Sequence, residues 1–173
     1  MWLSKRVLLA VSAAAIAVLS LALAVGAFGD RGGRGHDGGH GKALIEESLA
    51  PSLTTDPTFH GVAPGGAPWV LRRGDVELKH SRIELRVRGL VIPSPPGDGT
   101  AGPVTTISAS LYCGADSDTA AADTTREAPL SSDGDGRIRD RSFDVPDDCL
   151  APVILVHPNG DTTHYIAVDG RRR

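Results

Sequence analysis

Three residues near the C-terminus carry side chains that could transfer protons or bind a metal. His157 precedes the turn sequence Pro158-Asn159-Gly160, and Asp161 and His164 follow it. Asn-Gly is a strong signal for a tight hairpin turn, so the two imidazoles and the carboxylate are expected to lie close together. Such a group can hold zinc or act as an acid and a base. Histidines that flank a hairpin turn are more often ordinary surface residues, so both interpretations stay open here.

Acidic residues in two loops form a second candidate metal site. Asp116 and Asp118 lie in one predicted loop, and Asp147 and Asp148 lie in another at the same end of the expected sheet. Calcium takes six or more oxygen ligands, which loop carboxylates can supply. The spacing matches no fixed calcium-binding loop, which favours solvated acidic loops over a bound cation. We therefore assign no metal and no other cofactor from the sequence.

A predicted β-hairpin has a cationic outer face. Its basic residues, with two that lie nearby in the chain, are Arg72, Arg73, Lys79, Arg82, Arg86 and Arg88. This face could bind an acidic polymer of the cell envelope or phospholipid headgroups. Glu77 and Glu84 are interleaved with the cations, which instead favours a mixed, solvated face.

The overall composition argues against nucleic-acid binding. The 173 residues include 18 Lys and Arg against 21 Asp and Glu, a formal net charge of −3, and 4% are aromatic. A dedicated nucleic-acid-binding protein shows a basic excess, and a single-strand binder needs aromatic stacking platforms. Neither feature is present in the sequence.

The sequence contains no recognised catalytic motif. Ser108 and Ser110 lie within a predicted strand, and neither is surrounded by the G-x-S-x-G turn of serine hydrolases. The H-E-x-x-H, P-loop, C-x-x-C and dinucleotide-binding patterns are also missing. We assign no catalytic residue, and a non-catalytic protein is expected over an enzyme.

Residues 1–24 have the composition of a secretory signal peptide. Lys5 and Arg6 precede an apolar run over residues 7–27, and Ala22-Leu23-Ala24 matches a signal-peptidase site. Cleavage before Val25 would make this a secreted, extracellular protein. The run is also close to the roughly 20 residues that span a bilayer, so retention as a membrane anchor is the alternative.

Cys113 and Cys149 are the two cysteines of the chain, and 35 residues separate them. An exported protein meets an oxidising environment, which favours a disulfide over two free thiols. If successive strands run antiparallel, both cysteines lie at the same end of the sheet, where the bond can close without moving the backbone.

Residues 25–68 are expected to form a flexible linker. Seven of the residues at positions 29–42 are glycine, and none of the fourteen is apolar. Prolines then interrupt any regular element at positions 51, 57, 64 and 68.

From Trp69 onward, apolar and polar residues alternate with a period of two, which indicates β-strands. About eight short strands without a helical stretch predict an all-β domain over residues 69–170. The expected architecture is an immunoglobulin-like or related antiparallel β-sandwich of about 7–8 strands. The predicted core consists of Trp69, Leu71, Val76, Leu78, Ile83, Leu85, Val87, Ile107, Leu111, Phe143, Val145, Val153, Leu155 and Ile166.

Four stretches of the chain have the character of a family signature. They are FHGVAPGGAPWVL at residues 59–71, VRGLVIP at 87–93, GPVTTISASLYC at 102–113 and HPNG at 157–160. Together they resemble a group of uncharacterised secreted actinobacterial proteins, over roughly residues 49–170. The resemblance implies a secreted protein but no activity, so no functional residue is carried over from it.

These features together predict a secreted, non-catalytic β-sandwich module that is structural or ligand-binding at the cell envelope or exterior. Its expected partner is an acidic cell-envelope polymer or another envelope protein, and not a nucleic acid. The alternatives are a metal-dependent domain, calcium-stabilised or zinc-binding, and an unrecognised extracellular hydrolase.

Overall fold

The computed structural model describes residues 43–115 and 120–170. The predicted signal peptide, the glycine-rich part of the predicted linker, and Asp116 and Asp118 lie outside the described residues. Within them the chain forms β-strands and no helix, and hence no helix that could cross a membrane. The strands are β1 (Ile45–Pro51), β2 (Ala63–Pro64), β3 (Arg73–Lys79), β4 (Arg82–Arg88), β5 (Thr106–Tyr112), β6 (Asp123–Thr124), β7 (Ala128–Pro129), β8 (Gly136–Asp140), β9 (Val153–Pro158), β10 (His164–Tyr165) and β11 (Ala167–Asp169).

Nine of these strands form one antiparallel sheet that curls around a common core. The strand order is β6–β5–β9–β11–β1–β3–β4–β8, and β7 pairs with β5. The remaining two strands, β2 and β10, form a short parallel pair of their own. The predicted all-β class is confirmed for the described residues, and the predicted antiparallel pairing is confirmed for the main sheet.

β1 links the two halves of the sheet. Its first four residues pair with β3, from Ile45 opposite Leu78 to Ser48 opposite Asp75. Its last three residues pair instead with β11, beginning with Leu49 opposite Asp169. The prediction that residues 25–68 form a linker was therefore wrong for this segment. Burial along β1 does not alternate, and the alternation breaks where the strand passes from one partner to the other.

The hairpin of β3 and β4 has the predicted register. Val76 pairs with Leu85 and Leu78 with Ile83, and all four side chains are buried. β8 then pairs with the free edge of β4, with Ile138 opposite Leu85. Of the fourteen predicted core residues, twelve are buried, and Leu71 and Val153 are partly buried.

The strand predicted near residues 124–130 is divided into β6 and β7. Thr125, between them, donates its backbone N–H to the carbonyl oxygen of Ala109 over 2.9 Å. Its hydroxyl oxygen accepts the N–H of the same residue over 3.0 Å. The Thr125 hydroxyl thereby takes the place of a backbone carbonyl in the hydrogen-bond ladder with β5, and the strand is interrupted at this residue.

Residues 57–66, here called the cover segment, lie against the outer face of β9 and β5. Val62 of this segment packs in a second, smaller apolar cluster with Tyr112, Leu155 and Tyr165. The Tyr165 hydroxyl donates a hydrogen bond to the carbonyl oxygen of Pro57 over 2.8 Å. Leu155, predicted as part of the main core, is thus buried on the opposite face of the sheet.

Cys113, directly after β5, forms a disulfide with Cys149, in the loop before β9. Their Cα atoms are 4.9 Å apart, within the usual range for disulfides. The predicted pairing of the two cysteines is confirmed. Gly114 N–H donates to Leu150 O over 2.6 Å, so a backbone hydrogen bond adjoins the covalent link.

Removing the disulfide with the double variant C113A/C149A should lower the free energy of unfolding by about 4 kcal/mol, because a closed loop of this length restricts the unfolded chain. Urea denaturation of the variant and the oxidised parent measures the difference. Equal stability of the two proteins, or two free thiols in the parent, would contradict the prediction.

Replacing Gly74 with alanine should lower the free energy of unfolding by about 1–3 kcal/mol, the usual cost of overpacking. A Cβ atom at Gly74 would lie 2.8 Å from Leu49 Cβ and 2.7 Å from Leu71 Cδ2, beside the point where β1 changes partners. G66A is the matched control, because a Cβ atom at Gly66 meets no described atom within 4 Å. Urea denaturation curves that coincide for G74A and G66A would show that the contact between β1 and β3 tolerates a side chain at position 74.

Candidate functional site

His157 is buried on β9, not on the surface, with no exposed area. Its Nδ1 lies 2.7 Å from the carbonyl oxygen of His164. A carbonyl oxygen can only accept, so Nδ1 carries the proton and Nε2 carries a lone pair. Nε2 is buried and has no hydrogen-bond partner among the described residues. Burial lowers the pKa of His157, which keeps the imidazole neutral.

Asp161 and His164 form a separate, exposed pair. His164 Nδ1 lies 2.9 Å from Asp161 Oδ2, and Asp161 Oδ1 also accepts the N–H of Thr163 over 2.9 Å. Hydrogen bonds from Thr163 and His164 lower the pKa of Asp161 to about 2. These contacts close the turn after β9 and do not direct the two imidazoles at a common point. No three His, Cys, Asp or Glu side chains are grouped to hold a metal in residues 43–115 and 120–170.

The structure places Ser108 opposite His157, a pairing that the sequence analysis missed. The two residues are cross-strand partners on β5 and β9, and their side chains are 2% and 0% exposed. Ser108 Oγ, like His157 Nε2, has no hydrogen-bond partner among the described residues. A hydroxyl beside a neutral imidazole is a pairing used in nucleophilic catalysis, but that chemistry needs a hydrogen bond between them and access for substrate. Neither is present in this conformation.

The candidate calcium site can be followed only in part, because Asp116 and Asp118 lie outside the described residues. Asp147 and Asp148 are exposed in the loop that leads to Cys149. Asp123, which lies on β6, uses its two carboxylate oxygens to accept the N–H groups of Thr124 and Asp144 over 2.7 and 2.6 Å. The Asp123 carboxylate therefore links β6 to the loop that contains Asp144 by hydrogen bonds.

The outward side of β3, β4 and β8 carries a concentration of cations, here called the arginine face. Its members are Arg73, Lys79, Arg82, Arg86, Arg88, Arg137 and Arg139. The hairpin residues were predicted to lie there, whereas Arg137 and Arg139 were missed because they come from β8. Arg72 precedes β3 and is not part of this face.

The acids on this face neutralise only some of its cations. Glu84 accepts a hydrogen bond from Arg137 over 3.1 Å and lies 3.4 Å from Arg139, and these contacts lower its pKa. Asp75 pairs with Arg73 over 3.0 Å, and Glu77 pairs with Lys79. The other three cations, Arg82, Arg86 and Arg88, form no ion pair with any described residue.

Like charges lie directly opposite each other at one end of the arginine face. Arg86 is the cross-strand partner of Arg137, and Arg88 is the partner of Arg73. We call these four residues the arginine cluster. A shallow cavity of about 430 Å³ beside it is lined by Arg86, Arg88 and Arg137, and Asp135 also lines it. Like charges in opposing positions destabilise a sheet. Part of this repulsion is offset, because Asp75 lies opposite Arg86 on β3 and because Arg73 and Arg137 form ion pairs with Asp75 and Glu84.

Comparisons with family models, with curated proteins and with solved structures gave no match to this chain. The resemblance to secreted actinobacterial proteins therefore stays a prediction. The functional argument rests on the chemistry of the described residues.

The buried, neutral His157 should make stability depend on pH. Because its pKa is lowered in the folded state, the unfolded chain binds the proton at higher pH, and the free energy of unfolding should fall as pH drops below about 6.5. The variant H157N should lose this dependence while retaining a donor toward the His164 carbonyl. Urea denaturation between pH 5 and pH 8 measures it, with the exposed turn residue His80 changed in H80N as the control. An unchanged pH dependence in H157N would refute the assignment.

Proposed function

We propose that the protein is a secreted, non-catalytic β-sandwich module, immunoglobulin-like or of a related architecture, that binds an acidic polymer of the cell envelope through the arginine face. The observation that carries the proposal is the arginine cluster, in which Arg86 opposes Arg137 and Arg88 opposes Arg73. Anionic groups of a ligand would relieve the repulsion between these guanidinium groups.

The geometry of the sheet suits a ligand with repeated charges. Neighbouring strands lie about 4.8 Å apart, and side chains on one face recur about every 7 Å along a strand. Guanidinium groups at these spacings can contact successive phosphates or carboxylates of a polymer, and each can bind in a bidentate manner. Because six of the seven cations are arginine, the face is suited to such paired hydrogen bonds.

Acidic residues confine the binding area. Glu46 on β1 lies opposite Glu77 on β3, which lies opposite Glu84 on β4, so a row of acids crosses the face. This row separates Lys79 and Arg82 from the arginine cluster. An acidic polymer is therefore expected to bind at the cluster, beside the start of β8, and to avoid the acidic row.

Two features support action outside the cytoplasmic membrane. The Cys113–Cys149 disulfide is typical of proteins in oxidising compartments. The composition of residues 1–24 is typical of a secretory signal. The buried state of Ser108 and His157 favours a binding module over the hydrolase alternative, because a substrate cannot reach either side chain in this conformation.

The double variant R86Q/R88Q should bind polyphosphate or polygalacturonate about tenfold more weakly than the parent, which corresponds to about 1.4 kcal/mol. Parent binding should also weaken from 25 to 300 mM NaCl, since counterions are released on binding. Fluorescence anisotropy with labelled polymers measures both effects, and neutral dextran should not bind.

The matched control for this experiment is T54E/T55E. It changes the net charge by the same amount at two exposed residues between β1 and the cover segment. The control should retain parent affinity, and R86Q/R88Q should keep parent stability because it removes repulsion. Equal affinity of R86Q/R88Q and the control, or equal binding of dextran and the acidic polymers, would refute the proposed function.

A further inference from the structure

A second concave site lies on the other half of the sheet, away from the arginine face. It has a volume of about 420 Å³ and lies between β9, β11 and the start of the cover segment. Ala50, Val153 and Val168 supply apolar surface, and Phe59 forms a wall. The carboxylates of Asp56 and Asp169 also line the cavity. An apolar cavity with a small number of charged groups is the usual form of a small-ligand site.

The carboxylate of Asp169 is the charged group on which the chemistry of this cavity depends. Its Oδ1 accepts the N–H of Ile154 over 2.9 Å, which fixes the carboxylate at the end of β11. Burial raises the pKa of Asp169, and the Glu47 carboxylate adds to this shift. Asp169 forms no ion pair with any described residue. A partly buried carboxylate without a cation is costly, and a bound cation would offset that cost.

The wall that faces Asp169 is held in place by the protein. Phe59 and Val62 exchange two backbone hydrogen bonds of 3.0 and 2.8 Å, and the Phe59 ring packs 5.6 Å from the Tyr165 ring. Tyr165 also fixes Pro57 through its hydroxyl group. A wall that is ordered before binding reduces the entropic cost of holding a ligand.

We propose that this cavity binds a protonated alkylamine, such as the side chain of a lysine, with the ammonium group at Asp169 and the alkyl stem on Val153 and Val168. The charge of Asp169 selects a cation over an anion. The apolar floor selects an alkyl stem over a hydrated metal ion, and the Phe59 ring can contribute a cation–π contact. This site is independent of the polyanion-binding face.

The test uses n-butylamine at pH 7 as the probe and the full chain labelled with ¹⁵N. Butylamine should produce saturable shifts of the Ile154, Val168 and Gly170 amide signals, with a dissociation constant in the millimolar range. 1-Butanol should bind at least about tenfold more weakly, because it lacks the charge. Butyrate should give no saturable shift.

The variant D169N removes the charge while keeping an oxygen that can accept the Ile154 N–H, so the fold should be retained. It should bind butylamine at least tenfold more weakly and should bind polyphosphate as the parent does. D98N is the matched control, because Asp98 is an exposed loop residue whose left-handed φ of 48° asparagine also tolerates.

Three results would overturn the proposal. One is equal binding of butylamine and 1-butanol, which would show an apolar cavity without charge selectivity. Another is unchanged butylamine binding in D169N with D98N as reference. The third is butylamine binding to a truncated chain that ends at Gly170 but not to the full chain. That result would mean that the cavity is a site for the arginines at positions 171–173 and not for a separate amine.

Discussion

The hydrogen bonding of β1 is the constraint on which the rest of the structure depends. One strand supplies partners to β3 through residues 45–48 and to β11 through residues 49–51. Without it, β3 and β11 would both have unpaired edges, and the curled sheet would separate into two open parts. The arginine face depends on β3 and the amine cavity depends on β11, so both candidate sites are positioned by the same seven residues.

The sequence predicts those elements whose burial alternates. β3 and β4 show apolar residues at every second position because one face meets the core and the other meets water. β1 lacks this pattern, since Glu46 and Glu47 are both exposed and Leu49 and Ala50 are both buried. Where β1 changes partners, the alternation of buried and exposed residues is lost. A search for alternating apolar and polar residues therefore assigns this segment to a loop. The prolines that follow reinforced that interpretation.

The candidate sites were harder to predict because they depend on pairing between distant segments. The outward direction of Arg86 and Arg88 follows from alternation alone. Their proximity to Arg137 requires the β4–β8 register, which joins residues about fifty positions apart. The Ser108–His157 pair likewise depends on the β5–β9 register. His157 was expected at the surface, but the chain after the Asn159 turn returns and places the His164 carbonyl over it.

The net charge of −3 is compatible with the proposed binding of an acidic polymer, because the charges are unevenly distributed. The arginine face carries seven cations against Asp75, Glu77 and Glu84, a local excess of positive charge, whereas Asp56 and Asp169 line the cavity on the other half of the sheet. Interactions between exposed charges that are farther apart than the Debye length, about 8 Å at physiological salt, are largely screened, so the charges near the contact matter most. In the proposed complex, the arginine cluster would face the polyanionic surface, and the half of the sheet that carries Asp56 and Asp169 would face away from it. In that orientation the cavity at Asp169 stays open to a cationic group of a second partner.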